Sequence, residues 1–517
     1  MSRQHPRFRF LEQSAAPTWL RTLLGIGLVL SILLRLYTLD GMVYWYDETM
    51  TSVRATGYVV ADVSAKLTVH SEPLTVAEFL GQYQYPNPDR NLRDSWQSLA
   101  AHPEHSPLYY LLARLWLQLG FQSVLGIRLL SAIFGIVVIP AAFWLGSELF
   151  RDRISAWIFT ILVAVSPFHI LYAQEAREYS LWTLTILLSC AALLRSLRRP
   201  SRANWCLYSL TACLGLYAHP FTAFVLASHG IYTFWRVKLS RSFVCYLLAS
   251  SAAILLFLPW LNIVIANFAD FTGNTASVTT TRQGFLPLFW GLNLSRIWID
   301  FNQGISPWSP LHYLSAALAI TSFYLLIRHT RPEIWLFVVA LSGVTGLALL
   351  GPDLLIGGRR STITRYAVSA YLGIQVAIAA ACAMNLKHKF WRIILALMAV
   401  CGILSILVSS HIPVWWHKSY AKSRHNPVIA QIINETPAAL VVTSDKLGRV
   451  FSLAHLLDPE VSLQVLAPGA DFATDVAIAN NYEPIYLYRS TAEDREKLSA
   501  LYRLEETYPW LWSVTPR

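Results

Sequence analysis

Apolar runs of about 17 to 22 residues recur from about residue 20 to residue 410, separated by short polar stretches. At 1.5 Å of rise per residue such a run covers the roughly 30 Å of a bilayer's hydrocarbon core, and a helix there satisfies its own backbone. The pattern predicts spans at 20–38, 127–148, 154–172, 179–195, 204–218, 221–236, 243–262, 312–327, 333–350, 366–386 and 391–410. Residues 107–120 are apolar but short and carry Arg114, which predicts a helix lying at the membrane interface. After Ile412 the periodicity changes. Strand-like runs at 439–442, 463–466 and 485–488 alternate with helical stretches at about 424–434, 446–457 and 492–501. The expected fold class is therefore an all-α polytopic membrane bundle of about 11 to 13 transmembrane helices with outer juxtamembrane helices. A transmembrane domain, 1–411, with a first outer loop at 39–126, precedes a small α/β domain at 412–517.

Composition agrees, since 55% of the 517 residues are hydrophobic, too many for a soluble enzyme of this size. The cations give an orientation. Arg3, Arg7 and Arg9 precede the first span, and every second loop is basic: Arg151 and Arg153, Arg195 to Arg202, Arg236 to Arg241, Arg328 and Arg331, Lys387 and Lys389. Short cytoplasmic loops collect Lys and Arg, so the N-terminus is expected in the cytoplasm and the C-terminal domain outside, in a cell inner (plasma) membrane. The net charge of +11 is explained by these loops and gives no ground for a nucleic-acid partner. The first run lacks a small-residue cleavage site and is expected to be a retained helix. The six cysteines show no CxxC pattern and fall mostly inside spans, as packing residues do.

With this topology the long loops share the outer side, and chemistry is expected there. The first opens with Tyr44-Trp45-Tyr46-Asp47-Glu48 and ends with His102-Pro103-Glu104-His105-Ser106-Pro107-Leu108-Tyr109-Tyr110. A carboxylate pair at a membrane boundary is costly unless used or hydrated. The turn after the third span reads Gln174-Glu175-Ala176-Arg177-Glu178-Tyr179, the next outer turn carries His219-Pro220, and the tenth span is preceded by Gly357-Gly358-Arg359-Arg360-Ser361-Thr362-Ile363-Thr364-Arg365-Tyr366. Outer arginines break the orientation rule, and anion binding would explain them, because guanidinium clamps phosphate through two parallel hydrogen bonds. Each element also has a structural reading: Asp47 and Glu48 as a helix N-terminal pair, His219 as a helix-end histidine, Arg177 in an ion pair with a neighbouring glutamate, and Arg359, Arg360 and Arg365 on lipid headgroups.

Taken in order, these segments resemble the GT-C membrane glycosyltransferases, in the branch of protein O-mannosyltransferases and lipid A aminoarabinose transferases. Tyr46-Asp47-Glu48 is similar to the acidic motif of that family's first outer loop, and Glu104 through Tyr110 to the acid-containing Pro-Leu-Tyr-Tyr segment that closes it. Ser166-Pro167 followed by Arg177-Glu178-Tyr179 is similar to the family's Arg-x-Tyr turn, and Arg365-Tyr366 to the Arg-Tyr entering a late span. His105 stands where some relatives have lysine.

The resemblance implies a polyprenyl-phosphate-linked sugar as donor and a protein, lipid or glycan hydroxyl as acceptor on the outer face. Asp47 would be the general base of an inverting transfer, and Arg365, with Arg359, Arg360 or Arg177, would stabilise the departing phosphate. Glu48, Glu104, His105, Glu178, Tyr179 and Tyr366 would position acceptor or donor. The sequence fixes no cofactor; Glu104, His105 and His219 could hold a divalent metal ion, though their spacing is not diagnostic. A transporter or flippase of a lipid-linked sugar is the rival reading, but transporters carry polar groups at mid-membrane and paired broken helices, whereas these charges cluster at helix ends.

Overall fold

The computed structural model describes residues 18–69, 72–281, 284–467, 482 and 484–516, so Arg3, Arg7 and Arg9 lie outside the described residues. The chain forms two compact units. One comprises Met1–Tyr37, His102–Tyr109 and Leu129–Ser409, the other Thr38–Ala101, Tyr110–Arg128 and Ser410–Arg517.

The first unit is helical, and a helix forms at each predicted span. Among the described residues eight helices are long and apolar enough to cross a membrane: Thr18–Leu36, Val124–Phe150, Tyr179–Arg198, Arg241–Ala266, Pro310–His329, Pro332–Leu355, Thr364–Met384 and Lys389–Ser409. The span expected at 154–172 is broken. Arg153–Ala164 and Pro167–Ala173 meet at 56°, where Pro167 has no N–H to continue the ladder and Ser166 instead donates from Oγ to the Ile297 carbonyl at 2.6 Å. Arg202–Ala218 and Thr222–Val237, at 17 and 16 residues, are the short members of the bundle. Burial sorts the helices into layers. The apolar windows of Tyr179–Arg198 and Thr364–Met384 are 83% buried, whereas those of Arg241–Ala266 and Pro310–His329 are 28% buried and leave apolar faces outward, as a lipid-facing layer does.

The second unit joins the first long loop to the tail. Among the described residues its sheet has six strands, β1 (Leu74–Thr75), β2 (Leu440–Thr443), β3 (Ser462–Val465), β4 (Ile485–Tyr488), β5 (Tyr502–Tyr508) and β6 (Leu511–Pro516), in the order β1-β3-β2-β4-β6-β5. Strands β3, β2 and β4 are parallel, and β1, β6 and β5 add antiparallel edges. The three predicted strands are the central ones, and the helices Asn426–Asn434, Leu447–Ala454 and Ala492–Ser499 stand where the sequence places them. The boundary at 412 does not describe this unit. Met50, Val53, Phe79 and Tyr83 from the loop share one core with Val441, Phe451, Leu463 and Tyr488 from the tail, and the Phe79 and Phe451 rings stack at 4.4 Å. The loop's short helices, Tyr46–Thr56 and Val76–Tyr83, have apolar faces that neither could bury alone. The helix predicted at 107–120 is Leu108–Gln118.

Candidate functional site

In the second unit, Asp47 and Glu48 occupy the first turn of the helix Tyr46–Thr56, where the backbone N–H groups and the helix dipole favour negative charge. The two neighbours then part company. Glu48 is fully buried, while Asp47 remains half-buried. The Glu48 carboxylate takes Arg128 Nε on Oε1 and Nη2 on Oε2, each at 2.7 Å, and Lys418 Nζ on Oε2 at 2.9 Å. Arg128 also donates from Nη1 to the carbonyls of Leu39 (2.7 Å) and Met42 (2.9 Å), and from Nη2 to that of Val43 (2.8 Å). Every N–H of the guanidinium is thus spent on Glu48 or on the turn that leads into the helix. Glu48, expected to position a substrate, is instead a structural anchor, because two cations occupy it and it has no exposed surface.

Around this anchor the Tyr44 hydroxyl and Ser52 Oγ lie 2.6 Å apart, and His455 meets the Tyr44 ring edge-on at 4.7 Å. His455 Nε2 is 3.2 Å from Gln84 Oε1, and Gln84 donates from Nε2 to the Thr49 carbonyl at 3.3 Å. Burial, reinforced by the Arg128 charge, pushes the imidazole down to about 3, so His455 is neutral at ordinary pH. Beside Asp47, Tyr46 carries Lys422 Nζ 5.2 Å above its ring, and burial and the Asp47 charge raise its phenol.

In the first unit, the turn 174–179 gathers the second set of groups. Gln174 pins it by donating from Nε2 to the carbonyls of Leu34 (2.7 Å) and Tyr37 (3.0 Å). Arg177 Nη2 donates to Glu178 Oε1 at 3.0 Å, and both residues are buried. The Arg177 and Arg365 guanidiniums each lie 5.7 Å from the centroid of the Tyr179 ring. His219 stacks on Trp182 at 4.0 Å, with the Tyr179 and Tyr366 rings 6.2 and 6.5 Å away. Its Nδ1 accepts from the Phe221 backbone N–H at 3.2 Å. Burial first, then the charges of Arg177 and Arg365, push its imidazole down to about 3. Residues far apart in the chain, Arg177, Tyr179, His219, Arg365 and Tyr366, therefore form one cationic aromatic cluster.

The other two outer arginines are engaged elsewhere. Arg360 Nη1 donates to Asp353 Oδ1 and to the Gly357 carbonyl, both at 2.9 Å, and Asp353 Oδ2 accepts from the Ser361 N–H and Oγ at 2.7 Å. Arg359 Nε donates to the Ser277 carbonyl at 3.1 Å. These contacts hold the turn 357–362 and depart from the four-arginine clamp expected from sequence. Glu104 lies between His102 Nδ1 (3.5 Å) and His105 Nε2 (3.7 Å) and accepts from Asn274 Nδ2 at 3.1 Å. His219 does not join Glu104 and His105: among the described residues no three His, Cys, Asp or Glu side chains gather as metal ligands.

Arg128 and Lys418 were not among the sequence candidates. Arg128 had a signal, a single arginine at the mouth of an apolar run, of the kind that marks a paired charge. Lys418 had none.

A protein-family model described as dolichyl-phosphate-mannose-protein mannosyltransferase matches residues 102–263. No curated protein sequence matches the chain. Among solved structures, ArnT from Cupriavidus metallidurans bound to undecaprenyl phosphate aligns with a TM-score of 0.54 at 12% identity, over 97% of this chain and 98% of that one. The apo state of the same protein gives 0.55 at 11% identity, again over 97% and 98%. The oligosaccharyltransferase AglB from Archaeoglobus fulgidus, in complex with an inhibitory peptide and a dolichol-phosphate, aligns at 0.46 and 12% identity over 97% of this chain and 74% of its own.

Proposed function

We propose, from the GT-C fold that this multi-pass membrane chain shares with ArnT, that it is a glycosyltransferase moving a sugar from a polyprenyl-phosphate donor to an acceptor hydroxyl. The observation that carries the reading is the pair of guanidiniums on the Tyr179 ring, with a neutral imidazole beside them. Two arginines brought to one partly desolvated aromatic group repel each other, and a bound phosphate would turn that repulsion into attraction. The neighbouring carboxylate of Glu178 offsets part of the charge on Arg177 and fixes its direction.

In this reading the acceptor oxygen attacks the anomeric carbon, forming the new C–O bond. The bond from that carbon to the phosphate oxygen breaks with its electron pair, and Arg365 and Arg177 stabilise the phosphate that leaves. Asp47 takes the acceptor proton, and attack opposite the leaving group inverts the anomeric centre. The division between the two acids suits this role: Glu48 is locked by Arg128 and Lys418, which fixes the first helical turn, while its neighbour Asp47 is half-buried. The transfer takes place on the extracytoplasmic face of the inner membrane, opposite the basic loops. Protein, lipid and glycan remain the acceptor classes.

The test is release of free polyprenyl phosphate from a radiolabelled panel of polyprenyl-phosphate sugars by purified protein in native lipid. Release by the wild type, lost in Asp47→Asn and in Arg365→Ala with the fold intact, is the expected result. Sugar-lipid that instead crosses proteoliposome membranes chemically unchanged, at a rate indifferent to both substitutions, would replace this reading with transport.

A further inference from the structure

At the end of the helical unit that carries the basic loops, a cavity of about 220 Å³ opens among five helix termini. The helices Val124–Phe150, Tyr179–Arg198 and Thr222–Val237 end there, and Arg153–Ala164 and Pro332–Leu355 begin there. Its lining combines four arginines (Arg151, Arg198, Arg236 and Arg331) with an apolar wall that includes Leu194 and Ile334.

The lining carboxylates are already committed. Glu148 is buried and paired with Arg195 and Arg198, Glu333 pairs with Arg236 at 3.1 Å, and Asp152 caps the next helix by accepting the N–H groups of Ile154 (2.9 Å) and Ser155 (3.0 Å). Arg151 and Arg331 form no ion pair among the described residues, whereas Arg198 and Arg236 are paired with Glu148 and Glu333. The cavity thus offers guanidinium donors in excess of its acceptors, next to an apolar wall.

We propose that this cavity binds the headgroup phosphate of an anionic phospholipid. The phosphate oxygens satisfy the surplus donors, and the glycerol and first acyl carbons lie along the apolar wall, a combination that a small soluble anion does not exploit. This site is independent of the transferase reading: its arginines are not those around Tyr179, and it needs no sugar transfer.

The experiment uses full-length protein, delipidated in detergent and titrated with dioleoylphosphatidylglycerol, dioleoylphosphatidylcholine or glycerol 3-phosphate, with bound lipid counted by native mass spectrometry. The wild type is expected to retain phosphatidylglycerol over phosphatidylcholine. The double variant Arg151→Gln/Arg331→Gln should bind it roughly tenfold or more weakly, on the basis of about 1 kcal/mol per surface cation. Both positions are exposed, so the variant should fold, and an unchanged melting temperature would confirm that it has. The control Arg153→Gln/Arg328→Gln removes two exposed arginines that do not line the cavity and should leave binding unchanged. Retention that the double variant does not alter, or that falls equally in the control, overturns the proposal. Glycerol 3-phosphate binding as tightly as the lipid would also overturn it, in favour of a soluble phosphate ester.

Discussion

Arg128 and Glu48 form a closed pair, Nε to Oε1 and Nη2 to Oε2 at 2.7 Å each, with neither side chain exposed. The remaining donors of Arg128 hold the carbonyls of Leu39, Met42 and Val43, so one guanidinium fixes both the carboxylate and the turn before it. The consequence for Asp47 is indirect: its helix begins at a fixed place and angle.

Removing one partner of that pair strands a buried charge. Arg128→Ala should cost about 3–5 kcal/mol of stability. Arg128→Lys should recover only part of it, because an ammonium cannot reproduce the fork geometry. Thermal or denaturant unfolding in detergent measures both. A loss under about 1 kcal/mol for Arg128→Ala would mean that Lys418 alone suffices to hold Glu48.

The adjacent acids should respond in opposite ways. Asp47→Asn keeps shape and removes the base proposed for the transfer, so on that proposal turnover should fall by about 10² to 10⁴ with the melting temperature unchanged. Glu48→Gln should chiefly lower stability, since it leaves Arg128 and Lys418 without their buried counter-charge. Equal kinetic loss with equal stability in the two variants would remove the distinction drawn between them.

Arg365→Lys should retain charge but lose the paired hydrogen bonds to phosphate, lowering kcat/KM by roughly 10- to 100-fold. Arg360→Lys should affect activity less, because its guanidinium serves the Asp353 turn. Steady-state kinetics with the polyprenyl-phosphate sugar identified in the release assay decides between them.

The bundle was legible in sequence because lipid imposes a single rule on every span: length in apolar residues. The bend before Pro167 was not: residues 154–172 read as one continuous span, and the structure breaks it there. The adjacency of Asp47 and Glu48 was equally plain, but their unequal fates were not. The partners that bury Glu48 lie 80 and 370 residues away, and nothing local separates one acid from the other. The same holds for the second unit. Strands β2, β3 and β4 have runs of their own, whereas β1 is two residues long and exists only through its pairing with β3. A chain boundary drawn where composition changes therefore missed that the loop containing Phe79 completes the core around Phe451. Arg177 and Arg365 were found as separate motifs, and their shared contact with Tyr179 emerges only on folding.

His455 predicts a stability that depends on pH. Its folded-state value lies near 3, below the ordinary value of 6.5, so the folded protein refuses a proton that the unfolded chain accepts. Above about pH 6.5 both states hold it neutral and there is no penalty; as pH falls from there towards 3, unfolding gains by up to roughly 1.4 kcal/mol per unit. The melting temperature of the wild type should decline through this window. That of His455→Gln, which keeps a partner for Gln84 without a titrating ring, should decline less. Parallel curves would show that other groups set the acid limit.

Gly448 offers the most local test of whether the place of Asp47 matters. A Cβ built there would lie 2.6 Å from Tyr46 Cδ2 and 2.7 Å from Cε2, closer than packed atoms approach. Tyr46 is the first residue of the helix whose second is Asp47, and Thr49 Oγ1 donates to the Gly448 carbonyl at 3.2 Å. Gly448→Ala must therefore displace the Tyr46 ring or the helix start, at about 1–3 kcal/mol for an overpacked contact. If Asp47 has to meet an acceptor hydroxyl within hydrogen-bond reach, a shift of this size should lower kcat more than it raises the KM for the lipid donor. Gly448→Ala with the kcat of the wild type and a reduced melting temperature would show that the ring yields without moving the acid, and that the anchor at Glu48 alone sets its position.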